Sequence, residues 1–179
     1  MRVAFLVPLA AIAGCVSAPE PATKQQPERV VGERVLWTTD DAAIRQYVEG
    51  AIGDRFGADA VRQANAAITS VMAASIRGHF GSGGPNVNAV VRSASGWSGW
   101  RSGRAAPVSA ATSAELDRLL ADPALWAEPD RFPEMDCPDS GAHLLVIRHA
   151  GRSKISRQSC SPANRLGRLL ETVLEEQPQ

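Results

Sequence analysis

Apolar residues recur at helical spacing in two segments of the N-terminal half of the chain. The first segment follows Thr39 and Asp40, both of which are suitable N-cap residues. Its stripe consists of Ile44, Tyr47, Val48, Ala51 and Ile52. A second stripe follows a cap at Asp59 and consists of Val61, Ala64, Ile68, Val71, Met72 and Ile76. The pattern predicts two helices, of which the second continues to the glycine-rich segment beginning at Gly78.

Further along the chain, apolar and polar residues alternate, which is typical of strands. Residues 87–95 are predicted to form one strand, with Val87, Ala89 and Val91 on the same face. Residues 105–110 are a second candidate strand. Residues 143–149 and 153–159 are predicted to form a hairpin, because only a tight turn separates them.

Capping residues predict further helices between and after these strands. Thr112 and Glu115 form a capping box before an apolar stripe, and Pro123 restarts a short helical turn. Ser161 followed by Pro162 is typical of a helix start. The stripe behind it consists of Leu166, Leu169, Leu170, Val173 and Leu174. Together the elements predict an α+β fold: a small antiparallel sheet that includes the C-terminal hairpin, packed with about four helices.

The first residues have the pattern of a bacterial export signal. Arg2 gives a positive start, residues 3–13 form an apolar run, and Ile12-Ala13-Gly14-Cys15 follows. These four residues resemble the lipobox of bacterial lipoproteins. The resemblance implies that residues 1–14 are a signal peptide, and that Cys15 is lipidated and becomes the mature N-terminus.

The segment that begins at Cys15 is rich in proline and poor in large apolar residues. We therefore expect residues 15–29 to form an extended tether and residues 30–179 to form a single α+β domain. The resemblance also implies sorting to the outer membrane of a Gram-negative host, on the side facing the periplasm, because Val16 stands where aspartate would favour inner-membrane retention. Contact with the membrane would be made by the acyl chains, since no other segment is long and apolar enough to span it.

The charge of the chain gives no reason to expect a nucleic-acid partner. Removal of the predicted signal peptide takes away one basic residue, Arg2, so that 18 Lys and Arg stand against 19 Asp and Glu. A nucleic-acid site needs a clustered basic face. The local cluster on the predicted hairpin consists of Arg148, Arg152, Lys154 and Arg157. We expect these side chains to form a solvated edge.

The two cysteines behind the tether form an even pair. In an exported protein, Cys137 and Cys160 are expected to form a structural disulfide across the open end of the hairpin. By chain entropy, such a bond contributes about 3 kcal/mol.

The sequence contains no recognisable catalytic or metal-binding motif. His143 and His149 have the same strand parity and face the same side, but roughly 20 Å of strand separates them, which is too far for one metal ion. A further histidine, His79, could approach them only through the fold. The acidic residues near the first of the paired cysteines are Glu134, Asp136 and Asp139. Turn-forming residues surround them, so we expect a turn. No catalytic residue, metal or cofactor is assigned.

Two tryptophans and an arginine lie in a glycine-rich segment and form the candidate binding surface. Trp97, Trp100 and Arg101 are residue types that anchor interfaces and bind sugars or peptides. The alternative is that one or both indoles cover the core. At i and i+3, the two indoles would not share a strand face.

These observations favour an envelope lipoprotein that acts by binding. Its partner would be another envelope protein, the cell wall or an extracellular protein. A small periplasmic hydrolase with a dispersed active site is an alternative. A third interpretation is an inhibitor of a wall-degrading enzyme. The missing motifs argue against an enzyme but do not exclude one, because catalytic triads can be dispersed.

Overall fold

The fold was examined in a computed structural model, which describes residues 40–76, 84–101, 103–131, 141–159 and 164–176. The first helix, α1 (Asp41–Phe56), begins at the predicted cap: the side chain of Asp40 accepts a hydrogen bond from the Ala42 N–H at 2.9 Å. The chain then turns at Gly57, whose φ of 93° favours glycine, and continues as α2 (Ala58–Ala66).

The second predicted helix is wrong in its C-terminal half. The helix ends at Ala66, and the rest of the stripe forms the strand β1 (Thr69–Ile76). This strand lies inside the sheet and is buried on both faces, so its apolar residues do not alternate with polar ones. A short run of this kind looks the same in a buried strand and in a buried helix. Ile68, assigned to the stripe, is 80% exposed.

The remaining elements follow in the order that the sequence predicts, with one addition. The strands are β2 (Asn86–Ser93), β3 (Gly96–Arg101), β4 (Arg104–Pro107), β5 (Ala142–His149) and β6 (Arg152–Ser159). The helices are α3 (Ala110–Ala121), α4 (Pro123–Ala127) and α5 (Arg165–Glu175). The addition is β3, which forms from the glycine-rich tryptophan segment. The C-terminal hairpin is confirmed.

All neighbouring strands of the sheet are antiparallel. Its order is β4-β3-β2-β1-β5-β6, and the described residues contain five helices in addition to these six strands. The predicted α+β class is therefore confirmed. One face of the sheet packs against α1 and α2, and the other packs against α5, with α3 and α4 beside it. We call these the α1–α2 face and the α5 face.

Two of the predicted helix caps are displaced along the chain. Helix α3 is capped by Ser109, whose hydroxyl accepts the Thr112 N–H at 3.0 Å, so the predicted cap residue lies inside the first turn. Helix α5 is capped by Asn164, whose side chain accepts the Gly167 N–H at 2.7 Å. Both predictions chose a residue of the right type at the wrong position, because several capping residues lie close together in each segment.

The two outer strands of the sheet are both protected against pairing with another chain. The first, β4, is short and ends at Pro107, which has no N–H to offer. The other outer strand, β6, is covered by the segment that follows α4. Arg131 of this segment forms a short parallel β-bridge with Arg157 of β6. There the Arg157 N–H donates to the Asp130 carbonyl at 2.9 Å, and the Arg131 guanidinium donates to the Ile155 carbonyl at 3.1 Å.

The predicted solvated edge of basic residues is wrong for half of its members. Lys154 and Arg157 are 8% and 7% exposed, because the segment around Asp130 covers this part of β6. Lys154 Nζ donates to the Glu128 carbonyl at 2.6 Å and pairs with Asp130 Oδ1 at 2.5 Å. Arg152 remains exposed.

Candidate functional site

The two tryptophans of the candidate binding surface are buried. Trp97 is 5% exposed and Trp100 is 2% exposed. They point to opposite faces of β3, as their spacing predicts: Trp97 joins the core on the α5 face, and Trp100 joins the core on the α1–α2 face. The side chain of Arg101 lies outside the described part of the chain. This burial corrects the binding-surface hypothesis, because neither indole face is available to a ligand.

Polar side chains instead form a row across the sheet on the α5 face. Ser75 of β1 lies opposite both Asn86 of β2 and His143 of β5, and His143 lies opposite Gln158 of β6. Directly paired residues of an antiparallel sheet point to the same face. Burial increases across the row: Asn86 is exposed, Ser75 and His143 are half-buried, and Gln158 is 2% exposed. We call these four residues the polar row.

His143 is the titratable member of the polar row. Burial lowers the pKa of its imidazole below the ordinary 6.5, while the charge of Glu171 on α5 acts in the opposite direction. Its Nδ1 atom is buried and has no hydrogen-bond partner among the described residues. A neutral imidazole with an unpartnered ring nitrogen can accept a hydrogen bond or a proton from a neighbouring side chain.

A second hydroxyl–imidazole pair lies at the other end of the same strands. Extending the register of β1 and β5 by one step places Thr69 opposite His149, and Thr69 Oγ1 lies 3.2 Å from His149 Nδ1. The positions of Thr69 and Ser75 differ by an even number, so both pairs occupy the same kind of position in the alternating ladder. The Ser75–His143 pair therefore has the backbone arrangement that brings a hydroxyl to Nδ1 in its counterpart.

Neighbouring hydrogen bonds fix the sheet beside the polar row. Asn88 donates from Nδ2 to the Val173 carbonyl of α5 at 2.9 Å and accepts the Ala89 N–H at 2.9 Å. Gln158 donates from Nε2 to Ser156 Oγ at 3.2 Å, and both side chains are buried. The Asn88 contact ties α5 to β2 on the face that carries His143, and the Gln158 contact orders two side chains within β6.

Comparison with protein-family models, curated proteins and solved structures finds no match to this chain.

Several residues singled out in the sequence lie outside the described ranges. They are Cys15, His79, Glu134, Asp136, Cys137, Asp139 and Cys160. Lipidation, the disulfide and the acidic turn thus stay predictions. Within the ranges that the structure describes, no cluster of three or more His, Cys, Asp or Glu side chains could hold a metal ion. No helix of this part of the chain is long and apolar enough to cross a membrane.

The sequence pointed to His143 but not to the residues beside it. The parity argument is confirmed, because His143 and His149 both lie on the α5 face. Ser75 was missed, because its segment was assigned to a helix, and a hydroxyl on a helix has no cross-strand partner. The available signal was the β-branched and small composition of residues 69–76, which suits a buried strand.

Proposed function

We propose that this protein is a lipid-anchored lipoprotein of the cell envelope whose folded domain acts as a binding module. Anchoring is supported by the Ile12-Ala13-Gly14-Cys15 sequence and by the proline-rich segment behind it. At about 3 Å per residue for a proline-rich chain, residues 15–29 would span roughly 45 Å. A tether of this length would let the folded domain reach a partner away from the membrane.

The binding role depends on one observation, the polar row, whose accessible members are the exposed Asn86 and the half-buried Ser75 and His143. Its amide, hydroxyl and imidazole groups are neutral donors and acceptors in a line. Such a line suits a partner rich in hydroxyl and amide groups. The N-acylated sugars and peptides of the cell wall have this chemistry, and a tethered envelope domain would meet them. We therefore favour the cell wall over the other partner classes.

The anchor is tested by mass spectrometry of the protein purified from membranes. The expected result is a mature chain that begins at Cys15 and carries a diacylglycerol-type mass increment. The Cys15→Ser protein should lack the increment and lose its association with membranes. Retention of both by Cys15→Ser would disprove the anchor.

The binding site is tested by co-sedimentation of the full-length protein with purified cell-wall sacculi in detergent. Asn86→Ala removes an exposed amide of the row, and we expect it to weaken binding about fivefold, equivalent to a hydrogen bond of about 1 kcal/mol. Gln46→Ala removes an exposed amide from α1 on the other face of the sheet and should leave binding unchanged. Equal effects of the two substitutions, or no sedimentation of the unmodified protein, would reject the row as a cell-wall site.

A further inference from the structure

The polar row places a hydroxyl beside an imidazole, and helix α5 brings a carboxylate near them. Ser75 lies directly opposite His143 on the same face, and Glu171 of α5 is near enough for its charge to act on His143. In the counterpart pair, the same arrangement holds the Thr69 hydroxyl 3.2 Å from His149 Nδ1. In the row, the corresponding atom of His143 is buried and lacks a hydrogen-bond partner among the described side chains. By analogy with the counterpart pair, a rotation about the Ser75 side chain would turn its hydroxyl toward this nitrogen.

We propose that Ser75 and His143 are a nucleophile and general base that hydrolyse a carboxylic ester bound at the polar row. This inference rests on the proposed function, since it takes the ligand site of that proposal as its substrate site. Ser75 Oγ attacks the ester carbonyl carbon while its proton passes to His143 Nδ1. The bond from that carbon to the alcohol oxygen breaks, and the alcohol leaves with the proton from His143. Water then attacks the acyl-serine, passing its proton through His143 to Ser75 Oγ, and the carboxylic acid departs.

The neighbours of this pair have supporting roles. Asn86 lies on the other side of Ser75 in the row, where its amide can donate to the carbonyl oxygen that becomes negative during attack. Glu171 is a positioning residue, because it acts on the substrate only through His143. Its charge favours the protonated imidazole that forms when Ser75 attacks.

The test uses the full-length lipoprotein purified in detergent, with a fluorophosphonate probe and p-nitrophenyl butyrate as a model ester. Fragment mass spectrometry should place the probe on Ser75 in the unmodified protein. Ser75→Ala and His143→Phe should each lower ester hydrolysis at least about 100-fold. Thr69→Ala changes the counterpart hydroxyl and should leave the rate within about twofold of the unmodified protein. Glu171→Gln should move the acid limb of the pH–rate profile to lower pH, which a purely structural role would not do.

Each outcome decides between the two proposals. Absence of probe from Ser75 in the unmodified protein overturns the inference without any variant, so it does not depend on the variants folding. Hydrolysis that survives Ser75→Ala, or that falls equally with Thr69→Ala, also overturns it. Cell-wall binding without labelling keeps the proposed binding function and rejects the catalytic pair. Labelling of Ser75 without cell-wall binding keeps the catalytic pair and rejects the cell wall as partner.

Discussion

Single buried polar side chains join the helices of this protein to its sheet. Asn88 is 1% exposed and connects β2 to a carbonyl in the last turns of α5, where helical carbonyls lack partners within the helix. Trp97 connects β3 to α3, because its indole N–H donates to Asp117 Oδ1 at 2.9 Å. Each of these groups would be costly to bury alone, so the pairs fix which helix covers which strand.

Asn88 should be more important for stability than its neighbour on the same face. The Asn88→Ala variant leaves the Val173 carbonyl and the Ala89 N–H without their partner, so we expect the free energy of unfolding to fall by about 1–3 kcal/mol. The matched control is Asn86→Ala, which changes an exposed amide and should cost less than about 0.5 kcal/mol. Urea unfolding of both variants measures the difference. Equal stabilities would show that the Asn88 bonds contribute nothing net.

At the scale of elements, the short helix α4 is a junction between the sheet and α5. Its C-cap residue is Glu128. The backbone carbonyl of Glu128 accepts a hydrogen bond from Lys154 Nζ of β6 at 2.6 Å. The Glu128 carboxylate accepts the N–H groups of Arg165 and Leu166 at 3.0 Å each, so it also satisfies the first turn of α5. One residue thus orders two helix ends against the outer strand.

Loss of the Lys154 ammonium should loosen this junction. Lys154→Met keeps the buried stem but removes the contacts with the Glu128 carbonyl and Asp130, and we expect unfolding to become easier by about 1–3 kcal/mol. Arg152→Met alters an exposed cation on the same face of β6, which lies 4.2 Å from the ring of Trp126, and should cost at most about 1 kcal/mol. Thermal unfolding of the two proteins is the measurement. A larger loss for Arg152→Met would contradict the assignment.

Elements with a clear helical stripe or a turn signal were predictable from the sequence, whereas two strands without such a signal were not. The stripes of α1, α3 and α5 were found because solvent on one side of a helix imposes a period, and the C-terminal hairpin was found because a tight turn separates its strands. Strand β1 has no solvent side, so its period was lost and Ser75 was missed with it. Strand β3 was obscured by its glycines, which are uncommon inside strands. Burial in the tertiary structure, which a sequence does not display, determines that β1 and β3 are strands.

At the scale of the whole molecule, His143 and Glu115 are among the described residues that make stability depend on pH. Burial holds the pKa of His143 below its ordinary value, so folding favours the neutral imidazole. Hydrogen bonding from Arg118 and then Arg168 lowers the pKa of Glu115 to about 2, so folding favours this carboxylate charged. In both cases the unfolded chain binds more protons on acidification, and stability falls as pH decreases. The contribution of His143 is lost as the pH falls below 6.5, the ordinary pKa of histidine. The contribution of Glu115 is lost as the pH falls from 4.5, its ordinary pKa, to about 2.

The His143 contribution can be separated by substitution. We expect the unmodified protein to lose more stability than His143→Gln between about pH 7.5 and about pH 5, because glutamine stays neutral throughout. The difference between the two pH profiles isolates His143 from the other histidines. Urea unfolding at several pH values provides the profiles. Parallel profiles would contradict a buried, neutral His143.

The predicted disulfide acts on the molecule as a whole, because it would close the open end of the hairpin. Strands β5 and β6 bring Ala142 opposite Ser159, and the two cysteines flank these residues in sequence. A non-reducing peptide map should recover Cys137 and Cys160 in one cross-linked peptide. Reduction should lower the free energy of unfolding by about 3 kcal/mol. Two free thiols in the map would refute the bond.

The protected outer strands have a consequence for a domain that is anchored to a membrane, as proposed above. Tethered molecules share a thin layer in which their local density is far higher than in solution, and collisions are frequent. Exposed strand edges would turn such collisions into lateral chains of sheets. Pro107 at one edge and the Arg131–Arg157 bridge at the other leave neither outer strand open to such pairing. If the proposed anchor holds the domain on a membrane, crowded copies would therefore not join through the edges of their sheets.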